Sequence, residues 1–494
     1  MKSGSSYDID LKNINVAECQ ATETSDLEDA QVVYEGLYID PQEEAALMWK
    51  LDKRLIPMLA FTYFLSSLDK TNIGNAYTSG MKEDLKLTHH HYSNAVSVFY
   101  STFLAAQLPA VMSVKLIPPR YYMSTLVFCW SLITLCNGFV QSYHSLLAVR
   151  VLLGAFEGGF FPAMTLIISM LYKPEEQAKR IALFFGSAAL AGAFGGLIAT
   201  GLATVRGAGG LDGWRWLYVI EGLISSTAAV WLFFGLPKDI DNLSFLNEHE
   251  KHLMTIRTKQ RAQYLGTESA FSWSYIWDAL KDVKVYTGFV IQFCQNVVLY
   301  GFTTFLPAIL KLGMGYTSRQ AQYMSVPVYI LAAIVFCASA FLSDRFKLRG
   351  PVIFGYNIVT AVGYIIILTV KHSGVKYFAC YLITFSVYTG PGLNITWVSN
   401  NVAPHYKRAT ALGLNQMFGN LAGAVAGQVY TSSPYVAGNS FSLGCIALAN
   451  ILVVSQMILF RTKNNNREAI LRGDRPDKHI ERKGDDALDF RYCL

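Results

Sequence analysis

The sequence is poor in charged residues. Only 15% of its 494 residues are Asp, Glu, Lys or Arg, whereas 52% are hydrophobic, and the mean hydropathy is +0.30. Soluble globular domains carry about 25% charged residues, so the shortage of charge excludes an ordinary soluble protein. The net charge of +6 is spread over loops and tails and does not predict binding to nucleic acid.

Several familiar functional motifs are also missing. The eight cysteines are scattered, and none has the spacing of a zinc site. Because the chain has no phosphate loop of the GxxxxGK[ST] type, we expect neither ATP drive nor another cofactor. No hydrolase-type Ser/His/Asp motif occurs, so we expect no enzymatic activity. His89, His90 and His91 are consecutive, which favours a solvated loop over a metal site.

What the sequence does contain is long apolar stretches. About twelve are present, the first near residues 55–77 and the last near 440–460, and each approaches the roughly 20 residues that a membrane-spanning helix needs. Strands of a membrane β-barrel would be about ten residues long and would alternate in polarity. The pattern therefore predicts an all-α membrane protein with twelve transmembrane helices.

The chain also shows signs of an internal repeat. Lys179-Arg180 precedes the fifth stretch as Lys407-Arg408 precedes the eleventh, an offset of 228 residues. Such a repeat is typical of two-half transporters that hold their substrate between the halves. We predict a disordered cytosolic tail over 1–50, a six-helix half over 51–237, a cytosolic linker over 238–284, a second half over 285–461 and a cytosolic tail over 462–494.

Two further patterns concern the surroundings of the spans. An even number of spans and a modest excess of Lys and Arg in alternate loops predict that both termini are cytosolic. Leu246, Leu253 and Ile256 stand among charged residues in the linker, which predicts short amphipathic surface helices. Small residues four apart, such as Gly192 and Gly196, indicate close helix packing in lipid.

Four ionisable residues interrupt two of the apolar stretches. Asp69 and Lys70 lie in the first, and Arg150 and Glu157 lie in the fourth. On a helix, Asp69 shares a face with Asn72, and Arg150 and Glu157 lie two turns apart on one face of their own helix. Charge within a bilayer is costly and persists only where it faces protein or water. One reading is a set of ion pairs that fix helix registry, for example Asp69 with Arg150. Four such groups exceed that need, which favours a carrier that binds a charged substrate and moves a proton.

With these residues in view, the chain resembles the fungal anion:cation symporters of the major facilitator superfamily, which include the allantoate and nicotinate permeases. The resemblance covers about Leu51 to Arg461. It rests on LDKTNIGNA (68–76), RVLLGAFEGGFFPA (150–163), GWRWLYVIEG (213–222), SDRFKLRGP (343–351) and WVSNNVAPHYKRATALG (397–413).

The resemblance implies a major facilitator fold and proton-coupled import of a small organic anion across the plasma membrane, by a carrier that works as a monomer in the bilayer. Asp69 and Glu157 match carboxylates implicated in proton coupling. Lys70 matches a cation that attracts the substrate carboxylate, and Arg150 matches one that contacts both the anion and the carboxylates. The expected cytosolic gate consists of Asp344, Arg345, Arg180 and Arg408.

Two positions depart from the family pattern. Lys70 replaces the commoner Arg, so a planar bidentate grip becomes a point charge, and Gln107 stands where many relatives have Glu, so it cannot titrate. Both leave the identity of the anion open. Together with Lys70, Asn72 and Arg150, we expect polar residues of the second half to shape the substrate site: Gln292, Asn296, Tyr300, Asn394 and Asn415. For each of these five the alternative is a hydrogen bond between helices.

Two rival functions remain. A nutrient sensor with a transporter fold would bind its ligand without net flux. An intramembrane enzyme would need a nucleophile–base pair or a metal constellation at membrane depth, and the sequence shows neither.

Overall fold

A computed structural model describes residues 39–114, 117–203, 208–238, 243–264, 273–346, 348–474, 476, 484–488 and 490–494. Regular structure within these ranges is helical, and no β-strand occurs in them. Most of the predicted N-terminal tail, residues 1–38, lies outside the described residues.

Twelve long helices are described, six on each side of the linker. The first six are α1 Pro41–Ala76, α2 His89–Val114, α3 Pro119–Asn137, α4 Tyr143–Glu157 with Phe160–Leu171, α5 Pro174–Ala203 and α6 Gly213–Gly235. The second six are α7 Val283–Ala308, α8 Ser318–Phe346, α9 Gly350–Thr369, α10 Ser373–Val387 with Thr389–Asn400, α11 His405–Val429 and α12 Val436–Leu471. The linker holds two further helices, Glu248–Tyr264 and Trp273–Lys281.

The two halves share their irregularities as well as their helix order. Helices α1 and α7, the first of each half, both continue into a π-helical turn, at Tyr77–Met81 and Ile309–Gly313. Helices α4 and α10 are both broken near the middle, after Glu157 and after Val387. Shared breaks at equivalent places are what a duplicated six-helix unit produces.

The outer surface of the bundle suits a bilayer. Among the described helices, six are long and apolar enough to cross a membrane by length and composition: α4, α6, α7, α8, α9 and α12. Large apolar side chains on them point outward, including Phe234, Phe341 and Ile451, which are 70%, 71% and 64% exposed. Surfaces of this kind are stable when lipid covers them.

Helix α1 begins at Pro41, ten residues before the predicted start of the first half at residue 51. The Asp40 side chain caps it by accepting a hydrogen bond from the backbone N–H of Gln42 at 3.3 Å. Glu43 and Glu44 occupy the first turn of the helix. A capping Asp, Pro at the first position and early acidic residues all favour a helix start. The predicted tail over 1–50 is therefore too long.

The linker helix Glu248–Tyr264 packs against the first half. It buries Leu253 and Ile256, which confirms the predicted amphipathic surface helix. Arg257 binds Glu44 at the start of α1 and reaches Glu176 of α5 at 2.6 Å. We call the end of the bundle that carries this helix the linker end and the opposite end the far end.

The segments 484–488 and 490–494 fold back onto the linker end of the second half. Asp485 is buried and pairs with Lys284 of α7 and with Lys407 of α11, the latter at 2.9 Å. The Tyr492 ring stacks on Phe460 of α12 at 4.8 Å. The prediction of a tail over 462–494 therefore needs correction. Helix α12 extends to Leu471, and single side chains, without an apolar run, anchor residues 484–488 and 490–494.

Candidate functional site

A cavity of about 90 Å³ lies between the two halves, with room for several water molecules. Helices α1, α2, α4 and α5 line one side, and α7, α10 and α11 line the other. Four of the predicted substrate residues face it: Lys70, Gln292, Asn296 and Tyr300. The Tyr300 hydroxyl donates to Asn420 of α11 at 2.8 Å.

Lys70 is the cation of the cavity wall. Its ammonium lies 3.1 Å from Glu157 Oε1 and 3.2 Å from the Ser66 hydroxyl. It also lies 4.7 Å from the centre of the Phe103 ring, a distance that permits a cation–π contact. The side chain remains 15% exposed, so part of the charge still faces the cavity.

Glu157 is buried behind Lys70, at the break in α4. The Ser66 hydroxyl donates to its Oε1 at 2.5 Å, whereas its Oε2 has no hydrogen-bond partner in the part of the chain that the structure describes. Close approach of α2 makes this position possible, because a Cβ atom at Gly158 would collide with the carbonyl of Phe103. Glu157 therefore meets the substrate space through Lys70.

Asp69 points away from the cavity, toward α3. It accepts a hydrogen bond from Thr134 at 3.1 Å, and none of the described residues donates to its Oδ2. The ion pair of α1 thus joins Lys70 to Glu157 and leaves the adjacent Asp69 out, as expected for neighbours turned about 100° apart on a helix.

Arg150 and Asn72 do not line the cavity. Arg150 is 1% exposed and donates to the Tyr218 hydroxyl of α6 at 3.2 Å. Asn72 donates to the carboxylate of Glu221, also on α6. The charges of Asp69, Glu157 and Arg150 interact with one another across the centre of the first half.

Two other predicted substrate residues belong to a network between helices. The Asn394 amide of α10 donates to Gln292 Oε1 of α7 at 2.8 Å and lies 3.4 Å from Asn415 Oδ1 of α11. It also donates to the Gly288 carbonyl at 3.0 Å. From behind the cavity wall, Asn394 therefore holds Gln292 in place, and Asn415 contacts Asn394.

Sequence reasoning missed Glu221. It is 5% exposed within α6, and its Oε1 has no hydrogen-bond partner within the described ranges. It interacts electrostatically with Asp69, Glu157 and Arg150. The signal was present, because Glu221 is a lone carboxylate in an apolar run, as Glu157 is. We define the carboxyl cluster as Asp69, Glu157 and Glu221.

The predicted gate residues lie at the linker end, and Arg180 and Arg408 each form hydrogen bonds with residues of their own half. Arg180 binds Asp52 of α1 through two bonds of 2.6 Å, and Arg408 donates to the Val402 carbonyl at 2.8 Å. Arg345 is exposed, and the side chain of Asp344 lies outside the described residues. The gate therefore stays a prediction.

At the far end, hydrogen bonds join the halves directly. Between α2 and α11, Ser97 donates to the Ala424 carbonyl at 2.8 Å, and Gln428 donates to Ser97 at 2.9 Å. Between α1 and α7, Lys311 donates to the Thr78 carbonyl at 2.9 Å. We call these contacts, with those of Gln322 described below, the far-end seal.

Comparison with known proteins agrees with this architecture. The family model described as Major Facilitator Superfamily matches residues 59–427. An uncharacterized transporter of Schizosaccharomyces pombe is 49% identical over 96% of this chain and 98% of its own. The high-affinity nicotinic acid transporter of Saccharomyces cerevisiae is 37% identical over 92% of this chain and 85% of its own.

A solved structure shares the fold. It is a bacterial homologue of the human lysosomal transporter Spinster, in an inward-facing and unoccupied conformation. It superposes with a TM-score of 0.65 at 16% identity, over 84% of this chain and 96% of its own. The chain is thus a twelve-helix, multi-pass membrane transporter that belongs to the Major Facilitator Superfamily, among fungal permeases related to a nicotinic acid transporter.

Proposed function

We propose that this transporter imports a small organic carboxylate together with a proton, as a monomer in the plasma membrane with both termini in the cytosol. Nicotinate is the first substrate to test, followed by other vitamin-like and allantoate-like acids. The far end then faces the outside of the cell, and the linker end faces the cytosol.

The observation that carries this proposal is the Lys70–Glu157 pair at the cavity wall, with 3.1 Å between the charged groups. A substrate carboxylate in the cavity competes with Glu157 for the same ammonium. Once Lys70 turns to the substrate, Glu157 is a buried carboxylate without its counter-charge, and burial favours the protonated form. Anion binding and proton binding therefore reinforce each other, and the coupling is reciprocal.

The charge balance of the cluster supports a proton site. Three buried carboxyl groups, Asp69, Glu157 and Glu221, face two cations, Lys70 and Arg150, so the carboxyls exceed the cations by one. Each carboxyl has one oxygen that takes a hydrogen bond and one that has no partner among the described residues. A buried charge without a partner is costly, and one added proton brings the cluster to neutrality.

The cavity lining supports an aromatic acid as the substrate. Six aromatic rings line it, from both halves: Tyr63, Tyr100, Phe103, Phe161, Tyr300 and Tyr388. Rings favour flat aromatic partners, and the amides of Gln292 and Asn296 offer hydrogen bonds to a ring nitrogen. The 37% identity to a nicotinic acid transporter points to the same class of substrate.

The test is competition between an acid and its amide for uptake in a yeast strain that lacks its own permease. We expect nicotinate to compete and nicotinamide to compete poorly, Lys70→Ala to lose most uptake, and Lys70→Arg to retain much of it because the charge remains. Equal competition by acid and amide would contradict the anion proposal. Saturable binding without accumulation would instead favour a sensor.

A further inference from the structure

Glu221 lies at the start of a row of polar side chains along α1. Its carboxylate accepts a hydrogen bond from the Asn72 amide. The Asn75 amide then donates to Asn72 Oδ1 at 3.3 Å. Asn72 and Asn75 are three residues apart and share one face of α1, and Ser79 follows in the π-helical turn Tyr77–Met81. This row, from Glu221 to Ser79, is the polar ladder.

The ladder ends on a residue of the other half. Gln322 of α8 is 1% exposed, and its amide donates to the Ser79 hydroxyl at 2.5 Å and to the Asn75 carbonyl at 3.4 Å. Thr200 of α5 donates to Gln322 Oε1 at 2.8 Å. The first half thus holds Gln322 from two helices, and the ladder leads from a buried carboxyl group to the far-end seal.

We propose that Glu221 is a positioning residue that links protonation of the carboxyl cluster to the far-end seal through Asn72, Asn75 and Gln322. The inference rests on the proposed proton coupling and adds a residue and a route to it. Glu221 does not line the cavity, so it acts through other residues and not on the substrate.

The hydrogen-bonding capacity of a carboxyl group supplies the switch. An ionised Glu221 only accepts, so it requires the NH₂ of Asn72 and leaves Asn72 Oδ1 free to accept from Asn75. A protonated Glu221 can donate to Asn72 Oδ1, which turns the amide and brings its NH₂ against that of Asn75. Two donors then face each other, and the ladder loosens beside the Gln322 contacts.

The neighbours of Glu221 place it within reach of the transported proton. Asp69 on α1 and Glu157 and Arg150 on α4 act on its charge, and Tyr218 lies one turn away on α6 and also interacts with it. The two carboxylates disfavour a charged Glu221, and the guanidinium favours it. The charge state of Glu221 therefore depends on which of its neighbours holds a proton. The proton can therefore be shared among the cluster rather than confined to Glu157.

The test is hydrogen–deuterium exchange of the full-length protein in lipid nanodiscs, at neutral and acidic pH, after correction for intrinsic exchange. In the wild type we expect segments 74–81 and 318–326 to exchange about three- to tenfold faster in acid, the effect of losing one or two hydrogen bonds. Glu221→Gln carries an NH₂ that can donate like the protonated acid, so it should exchange fast at both pH values. Segment 361–369 of α9 is the internal reference.

Two further variants keep the outcome decisive. Asn72→Ala breaks the ladder and leaves the carboxyl group intact, so it should also abolish the pH dependence, even if Glu221→Gln fails to fold. Gln322→Ala should speed up exchange less when it is added to Glu221→Gln than when it is made in the wild type, because the effects of substitutions at coupled residues are not additive. Wild-type pH dependence in both Glu221→Gln and Asn72→Ala would overturn the inference. If the wild type shows no uptake driven by a pH gradient, the proposed function is overturned instead.

Discussion

At the scale of single residues, the proposed transport depends on the ammonium of Lys70, for which the carboxylate of Glu157 and the substrate compete. The intramembrane charges could be recognised from the sequence. The structure buries Asp69, Arg150 and Glu157, which are all at most 1% exposed. Their partners could not be recognised from the sequence, because which side of α1 meets α3, α4 or α6 depends on packing in three dimensions. That is why Asn72, expected in the substrate site, instead contacts Glu221.

Glu157 is the residue whose neutralisation should uncouple transport. In Glu157→Gln, we expect binding and counterflow exchange to survive because Lys70 still meets the anion, whereas accumulation against a gradient is lost. Counterflow and gradient-driven uptake in the same vesicles measure the two activities. Asp69→Asn serves as the comparison, since Asp69 bonds Thr134 whereas Lys70 pairs with Glu157, so Asp69 should affect exchange less directly. Full concentrative uptake by Glu157→Gln would remove it from the coupling role.

Gln107 offers a second test of the cavity's charge. It lines the same cavity as Lys70, and Gln107→Glu places a titratable carboxyl group there. Ionised, the new group repels an anionic substrate and competes for Lys70, so affinity should fall about tenfold at neutral pH, roughly the effect of one like charge nearby. Acidic pH should restore the affinity by protonating the new carboxyl group. Gln107→Met, which cannot ionise, is the control and should show no such recovery.

At the scale of elements, helix existence could be predicted better than helix ends. The apolar stretches identified the spans, but α1 starts earlier because of a capping Asp40 and Pro41. The segments 484–488 and 490–494 could not be predicted to pack, because their anchors are isolated residues that bind groups far away in the sequence. Asp282, at the start of α7, belongs to the same ion-pair group. Burial opposes its ionisation, but Lys284 and Lys407 outweigh burial and leave the pKa of Asp282 lowered.

The docked segment should contribute measurably to stability. Asp485→Ala leaves Lys284 and Lys407 buried with one carboxylate fewer, and breaking a buried pair of this kind costs about 3 kcal/mol. We expect a clear drop in the unfolding temperature of the purified protein. Asp486→Ala is the matched control, since the Asp486 side chain is 66% exposed and lies 3.9 Å from Arg467, so its loss should cost below about 0.5 kcal/mol. Equal stability of the two variants would contradict the docking.

Small residues hold the helices of the first half close together, as predicted for this kind of spacing. A Cβ atom at Gly154 of α4 would collide with Thr102 and with the carbonyl of Phe99 on α2. Gly154→Ala should therefore force the helices apart and cost about 1–3 kcal/mol. Gly355→Ala in α9 meets no atom within 4 Å and should be neutral. Thermal unfolding of both variants compares them, and an unchanged Gly154→Ala would show that α2 and α4 have room.

At the scale of the whole molecule, transport requires the far-end seal to open while the linker end closes. The resemblance assigns Asp344 to a gate at the linker end, near the end of α8. An exposed ion pair contributes about 0–1 kcal/mol, enough to shift a balance between states a few kcal/mol apart. We expect Asp344→Asn to raise the accessibility of a cavity cysteine probe from the linker end and to slow uptake, at normal surface expression.

The control for the gate is Asp474→Asn, which removes a charge from an exposed position after α12. It should leave both accessibility and uptake at wild-type values. If Asp344→Asn behaves like this control, Asp344 is a solvated loop charge and has no part in the gate.

The central claim is that movement of the anion is tied to movement of a proton through the carboxyl cluster. The most direct measurement is uptake of labelled nicotinate by proteoliposomes that contain the purified protein, with and without an acidic exterior. We predict accumulation above equilibrium only with the proton gradient, its collapse by a protonophore, and simple equilibration with Glu157→Gln. Accumulation that is the same with and without the gradient, or that survives in Glu157→Gln, would contradict the account.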